Sequence, residues 1–428
     1  MVTAAAAAAR LRSTDTLGIP LGPGQPTAML HALGDRDDWV DLEVSGALLV
    51  DLYAVLTKPR VRYLSGFFGP AERFLVDSGA DIQFVPADFR RFAPILRRQA
   101  PRVMATLAAH PDREGWMSLA LHAGATVEEL HRAGADPGRE LIVEINANAP
   151  RTHGLPPEHL HRLHVDEATV LVESDRPLFT LADSPTTEAD AAIASHAVAF
   201  VHDGSTLQTG IGGVPSRVAA LLAEGDGGDY GIHSEMFTTG LMALHAAGKV
   251  TNRAKGIYEG VSITTFAAGT AALNSWLDDN QEVRFLPVDV VNSPEVIAAN
   301  HDFVSINGAL AIDLYGQAVA DTIDGKQFSG IGGHEDFAAA SGLQLSDRSL
   351  LCLPSTSAVG GTAISRIVPA LATGSIVTTP RHQLDVVITE FGVAELRGRT
   401  VRERAIALAQ IAHPDFRADL EAHARRLR

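Results

Sequence analysis

Along the 428 residues, short apolar runs rich in β-branched side chains alternate with Ala- and Leu-rich stretches whose apolar positions recur at helical spacing. That alternation predicts βα units. In the first half, 48–52, 82–85, 141–145 and 170–173 read as strands, and 87–99 and 127–133 as helices. The second half restarts with an Ala-rich helix over 189–201. Strands are then expected at 206–208, 263–266, 303–306, 350–353, 375–378 and 386–389, with a last helix over 402–411. The strand runs are apolar without clean alternation, as expected where helices cover both faces of a sheet. The stretch 182–189, containing Asp183, Ser184 and Pro185, reads as a linker, so two domains are expected, 1–190 and 191–428.

Composition narrows the class. Hydrophobic residues make up 46% and charged ones 20%, enough for a large core and too apolar for disorder. The 51 acidic against 35 basic residues give a net charge of −16, which argues against nucleic acid or an anionic membrane as partner. No apolar run reaches the roughly 20 residues of a membrane helix. The start of the chain, with alanine at positions 4–9, reads as a helical or frayed terminus and not as a signal peptide. Cys352 is the single cysteine, which excludes an internal disulfide and a cysteine-based metal cage. A soluble, cytoplasmic globular protein is expected.

Candidate chemistry concentrates in the second half. The loop Gly210-Ile211-Gly212-Gly213-Val214 follows a strand and precedes a helix, with Pro215 in the first turn. Glycines there free backbone N–H groups to face an anion, although the same pattern serves a plain βα turn. Pro215 stands where a dinucleotide fingerprint needs its third glycine, and no P-loop occurs. A second loop, Ser329-Gly330-Ile331-Gly332-Gly333-His334, shares the ambiguity. Between them, His233-Ser234-Glu235-Met236 puts a carboxylate just beyond a strand, where α/β sheets carry reactive groups. By pattern alone Glu235 reads first as a helix-entry carboxylate with Ser234 as cap. His153, His159, His161 and His164 cluster without the spacing of a zinc site. Arg90, Arg91, Arg97, Arg98 and Arg102 read as a solvated helix face, and Cys352 as a buried small hydrophobe.

Several runs resemble the acetyl-CoA hydrolase/transferase family, which includes acetate, succinate and 4-hydroxybutyrate CoA-transferases. They are Thr206 to Pro215, Gly231 to Met236, Val288-Asp289-Val290-Val291-Asn292, Asp313 to Gln317, Ser329 to Gly333, Leu353-Pro354-Ser355-Thr356 and Ile411 to Arg417, with Phe67 to Pro70 and Asn146 to Thr152 in the first half. The resemblance implies an α/β fold of two Rossmann-like open domains of the class I CoA-transferase type, with the active site between them. It further implies Glu235 as nucleophile, CoA contacts at Gly210, Ile211, Gly212, Gly213, Val214, Leu310 and Gly333, and no metal. Coenzyme A or acyl-CoA enters as substrate and no cofactor is tightly bound. The partners implied are acyl-CoA, small carboxylic acids and a second copy of the chain in a homodimer or larger homo-oligomer. The chain departs from the family at His334, at Ala339-Ala340-Ser341 and at Gly308, which leaves the acid unspecified.

Overall fold

The computed structural model describes residues 1–182, 185–341 and 343–427; Asp183 and Ser184 of the expected linker lie outside the described residues. The chain packs as two compact units. The first holds Met1–Leu181, Glu235–Phe237 and Ile263–Ser293; the second holds Ala182–Ser234, Thr238–Ser262 and Pro294–Arg428.

The first unit is built on a seven-stranded sheet: β1 (Thr14–Gly18), β2 (Asp41–Gly46), β3 (Val61–Ser65), β4 (Asp81–Phe84), β5 (Val103–Ala108), β6 (Glu140–Asn146) and β7 (Val170–Ser174). The order is β4-β3-β2-β1-β5-β6-β7 and every neighbouring pair is parallel. The chain winds outward from β1 to β4 and then reverses to place β5 on the other side of β1. All six residues of β5 are buried, as a parallel sheet covered on both faces requires.

The second unit carries β8 (Thr206–Thr209), β9 (Gly231–Ile232), β10 (Phe303–Gly308), β11 (Arg348–Cys352), β12 (Val386–Thr389) and β13 (Gly392–Glu395). Its order is β9-β8-β10-β11-β12-β13, parallel except for the β12–β13 hairpin. The direction of winding reverses between β8 and β10, so their carboxyl ends form a topological switch point, where open α/β sheets bind ligands. The C-terminal helices Val401–Gln410 and Pro414–Ala424 add Leu408, Ile411 and Leu420 to the core beside Val387 of β12 and Ala394 of β13. Thr400 starts the first of them by accepting from the Glu403 N–H, while Glu403 accepts from the Thr400 N–H at 2.8 Å.

Two expected strands are absent. Residues 48–52 form a loop: Leu48 has φ +45°, and the Leu48 and Leu49 N–H groups donate to Phe67 O and to the Glu72 carboxylate. The strand of that region is β2, whose apolar run is interrupted by Glu43 and Ser45. Residues 375–378 form no strand and leave Ile376 and Val377 exposed. Strand 263–266 divides into Ser262–Thr264 and Phe266–Ala267. The compact units also differ from a single cut near residue 190. The chain changes units at 181–182, and Glu235 counts with the first unit, because Met236, Phe266, Ala268 and Val288 pack with Leu21 and Phe89.

Candidate active site

Glu235 is half-buried and follows β9 by three positions. The next two residues, Met236–Phe237, form a short strand parallel to Phe266–Ala267. Its backbone carbonyl accepts from Thr264 Oγ1 at 3.0 Å, Thr265 N at 3.1 Å and Phe266 N at 3.3 Å. Its carboxylate Oε2 accepts from Asn292 Nδ2 at 2.6 Å. Asn292 is fully buried and caps the short helix Val288–Val291, which is tied down by the Val288 N–H donating to Gly124 O. The carboxylate is therefore oriented by a rigid neutral donor.

The helix-entry reading of this segment does not hold. The following helix is Thr239–Ala246, capped by the Thr238 side chain. Ser234 is buried and donates from Oγ to Thr209 O at 3.1 Å. Thr209 ends β8 immediately before Gly210, and Ser234 immediately precedes Glu235. One hydrogen bond thus ties together the residues from which the glycine loop and Glu235 both depart.

In the second unit, Gly210 to Val214 lead from the carboxyl end of β8 into the helix Gly213–Glu224. Gly212 has φ +122°, a conformation that only glycine adopts without strain. A side chain at Gly213 would collide with the Asp190 carboxylate. The start of this helix therefore already has a carboxylate beside it. Leu310 stands two residues past β10, so it and the glycine loop flank the same switch point. Gly333 is buried and caps the helix His334–Ala340, and Gly332 before it has φ +57°. The His334 ring, its pKa lowered to about 4 by burial, is neutral. Thr379 Oγ1 gives its proton to Glu335 at 2.6 Å, so it accepts from His334 Nε2–H at 2.7 Å. His334 thereby fixes the residue after Gly333.

A braced support lies upstream of Glu235. Lys255 is fully buried and donates from Nζ to Ile232 O and Val261 O, both at 2.9 Å, and desolvation lowers its pKa to about 7. Asn252 Oδ1 accepts from the Ile232 N–H at 2.9 Å. Sequence reasoning assigned no role to Asn292 or Lys255: each acts on a partner more than twenty positions away, and no local spacing reports that.

The remaining candidates separate. Burial pushes the Cys352 thiol up to about 12, which leaves it a hydrophobe. Arg102 is not part of a solvated face, because it pairs with the buried Asp15 at 2.5 Å. The histidine cluster is dispersed among other partners: His153 bonds Asp279, His161 bonds Ala120 O and His164 bonds Glu114 O. Among the described residues no group of three or more His, Cys, Asp or Glu side chains is placed to hold a metal ion.

Two doubly wound α/β units of this kind are the architecture of the class I CoA-transferases. The chain belongs to the acetyl-CoA hydrolase/transferase family and is an enzyme of that family. The family's C-terminal domain matches residues 269–424. The chain is 37% identical to succinyl-CoA:cyclohexane-1-carboxylate CoA transferase of Geobacter metallireducens, over 98% of this chain and 94% of that one. It is 33% identical to 4-hydroxybutyrate coenzyme A transferase of Clostridium kluyveri, over 98% and 96%. Its fold superposes on the crystal structure of RipA from Yersinia pestis with a TM-score of 0.88 at 30% identity, covering 99% of this chain and 96% of that one.

Proposed function

We propose that this enzyme moves CoA from an acyl-CoA, acetyl-CoA in the first instance, to a small carboxylic acid through a glutamyl-CoA thioester on Glu235. The observation that carries the reading is the Glu235 carboxylate held by Asn292 at 2.6 Å, on a backbone pinned by three donors. A Glu235 carboxylate oxygen attacks the thioester carbonyl, and the tetrahedral intermediate expels CoA as thiolate to leave an acyl-glutamyl anhydride. The thiolate then attacks the glutamyl carbonyl, the first acid departs as carboxylate, and the glutamyl-CoA thioester remains. An incoming carboxylate reverses these steps and leaves as the new acyl-CoA. Thioester energy is retained throughout, so neither ATP nor a tightly bound cofactor is called for.

Asn292 orients the attacking carboxylate, and its N–H on Oε2 would also stabilise that oxygen when it becomes negative as the glutamyl carbonyl is attacked. Gly210, Ile211, Gly212, Gly213, Val214, Leu310 and Gly333 are the proposed CoA contacts. The switch-point position of the first loop and Leu310 supports that assignment.

Incubation with acetyl-CoA and no acceptor should accumulate CoA on Glu235. Borohydride should then convert that side chain to an alcohol on the peptide containing His233-Ser234-Glu235-Met236. Glu235→Gln should show neither label nor transfer. Steady acetate release without accumulation would mean that water discharges the thioester and the enzyme is a hydrolase. Label on a peptide carrying Cys352 or Glu390 would overturn the site.

A further inference from the structure

The histidine-rich stretch of the first unit, which holds no metal-like cluster, lines a cavity of about 500 Å³. That is within the size range of small-molecule sites. Glu235 and Asn292 are not among its lining residues. Its walls come from distant parts of the unit. Trp116–Ser118 pairs antiparallel with Arg162–His164, and the strand Val283–Phe285 brings Arg284 beside His153.

The charges around the cavity do not cancel. Arg151 has Asp112 at 3.3 Å, and His153 has Asp279 at 2.9 Å. Arg162 and Arg284 meet no carboxylate among the described residues. The Arg162 guanidinium lies 4.1 Å from the centre of the Trp116 ring, and its Nε is buried without an acceptor. Arg284 donates once, to Gln281 Oε1 at 3.0 Å, and its Nε is also buried without an acceptor. Burial draws the Arg284 pKa below its usual value with no acid to offset it. Both guanidinium groups line this cavity, in a chain whose net charge is −16.

A partly buried cation without a counter-ion is costly, and a guanidinium fork matches the paired oxygens of a carboxylate or a phosphate. We propose that this cavity is a binding site for a small dianionic metabolite, a phosphate ester or a dicarboxylate, held by Arg162 and Arg284 against the Trp116 wall. The site is independent of the Glu235 chemistry, so the failure of either reading leaves the other standing.

Titration calorimetry on the full chain at constant ionic strength, with orthophosphate in one arm and succinate in the other, tests it. Saturable binding is expected in at least one arm, and Arg162→Gln and Arg284→Gln should each weaken it about tenfold or more, the loss of a charge-assisted hydrogen bond. Phosphate alone would assign a phosphate ester, and succinate alone a dicarboxylate. A circular-dichroism melt checks that the variants fold. Should they not fold, quenching of wild-type tryptophan fluorescence by the bound anion, lost in Trp116→Phe, locates it instead. No saturable binding of either anion, binding equally tight in both folded arginine variants, or quenching that survives in Trp116→Phe would overturn the proposal.

Discussion

Glu235 and Asn292 are 57 positions apart in the sequence, and a 2.6 Å hydrogen bond joins them. A hydrogen bond to a charged acceptor is worth about 1.5–3 kcal/mol, so Asn292→Ala should lower kcat roughly 10- to 100-fold. KM for acyl-CoA should change little, since the residue is proposed to act on the nucleophile and not on CoA. Steady-state kinetics would show this split; an unchanged kcat would return Asn292 to a purely structural role. The sequence located Glu235 by its motif, but it also allowed Glu235 and Ser234 to be the first residues of a helix. What removed that alternative was the placement of two other side chains, Thr238 at the true cap and Ser234 on Thr209.

At the scale of elements, the glycine loop and the β9 extension each carry a test. Gly212→Val must force a β-branched residue into φ +122°, at a cost of order 1–3 kcal/mol. Gly213→Val instead drives a side chain into the Asp190 carboxylate, which also caps the helix Glu188–Ala197 through Thr187. Both variants are expected to raise KM for acyl-CoA while the second unit stays folded, the first by moving the loop and the second by displacing a helix start. Normal KM in both would make the loop a plain turn. Lys255 gives the β9 extension a pH signature. Its folded pKa, about 7, lies below the unfolded value near 10.5, so the unfolded chain binds more protons between those limits. The contribution of this residue therefore rises with pH from about 7 towards 10.5 and is lowest, and flat, below 7. Lys255→Met leaves the Ile232 and Val261 carbonyls without their donor and removes that slope. The stability gap between wild type and variant in denaturant melts should widen as pH increases across this window. A constant gap would show that the amine stays charged when buried.

For the whole molecule, ligand linkage separates binding from chemistry. Acyl-CoA at about 100 times its Kd stabilises a folded enzyme by about 2.7 kcal/mol, and Glu235→Gln should keep nearly all of the corresponding rise in Tm while losing turnover. Loss of the shift along with activity would mean that Glu235 serves the fold or the CoA site more than the reaction. Among the described residues no helix is long and apolar enough to cross a membrane. The sequence by itself determined much of this protein. The strands at 82–85, 141–145, 170–173, 206–208, 303–306, 350–353 and 386–389 all correspond to strands of the two sheets. All but the edge strand at 82–85 contain buried residues, and a buried parallel strand is a local run of apolar side chains. Strands β1, β2, β3, β5 and β13 were not read from sequence. Mixed runs such as Thr14–Gly18 and Asp41–Gly46 become strands only through their neighbours in the sheet, whereas the buried run of β5 carried a local signal that the reading missed. The motif around Glu235 and the two glycine loops was legible for the same local reason. Tertiary structure alone decided that Asn292 grips Glu235, that residues 235–237 and 263–293 rejoin the first unit, and that Arg162 and Arg284 line one cavity. Each of these depends on sheet order and register, which bring together residues separated by tens to more than a hundred positions, and no periodicity along the chain encodes such a meeting.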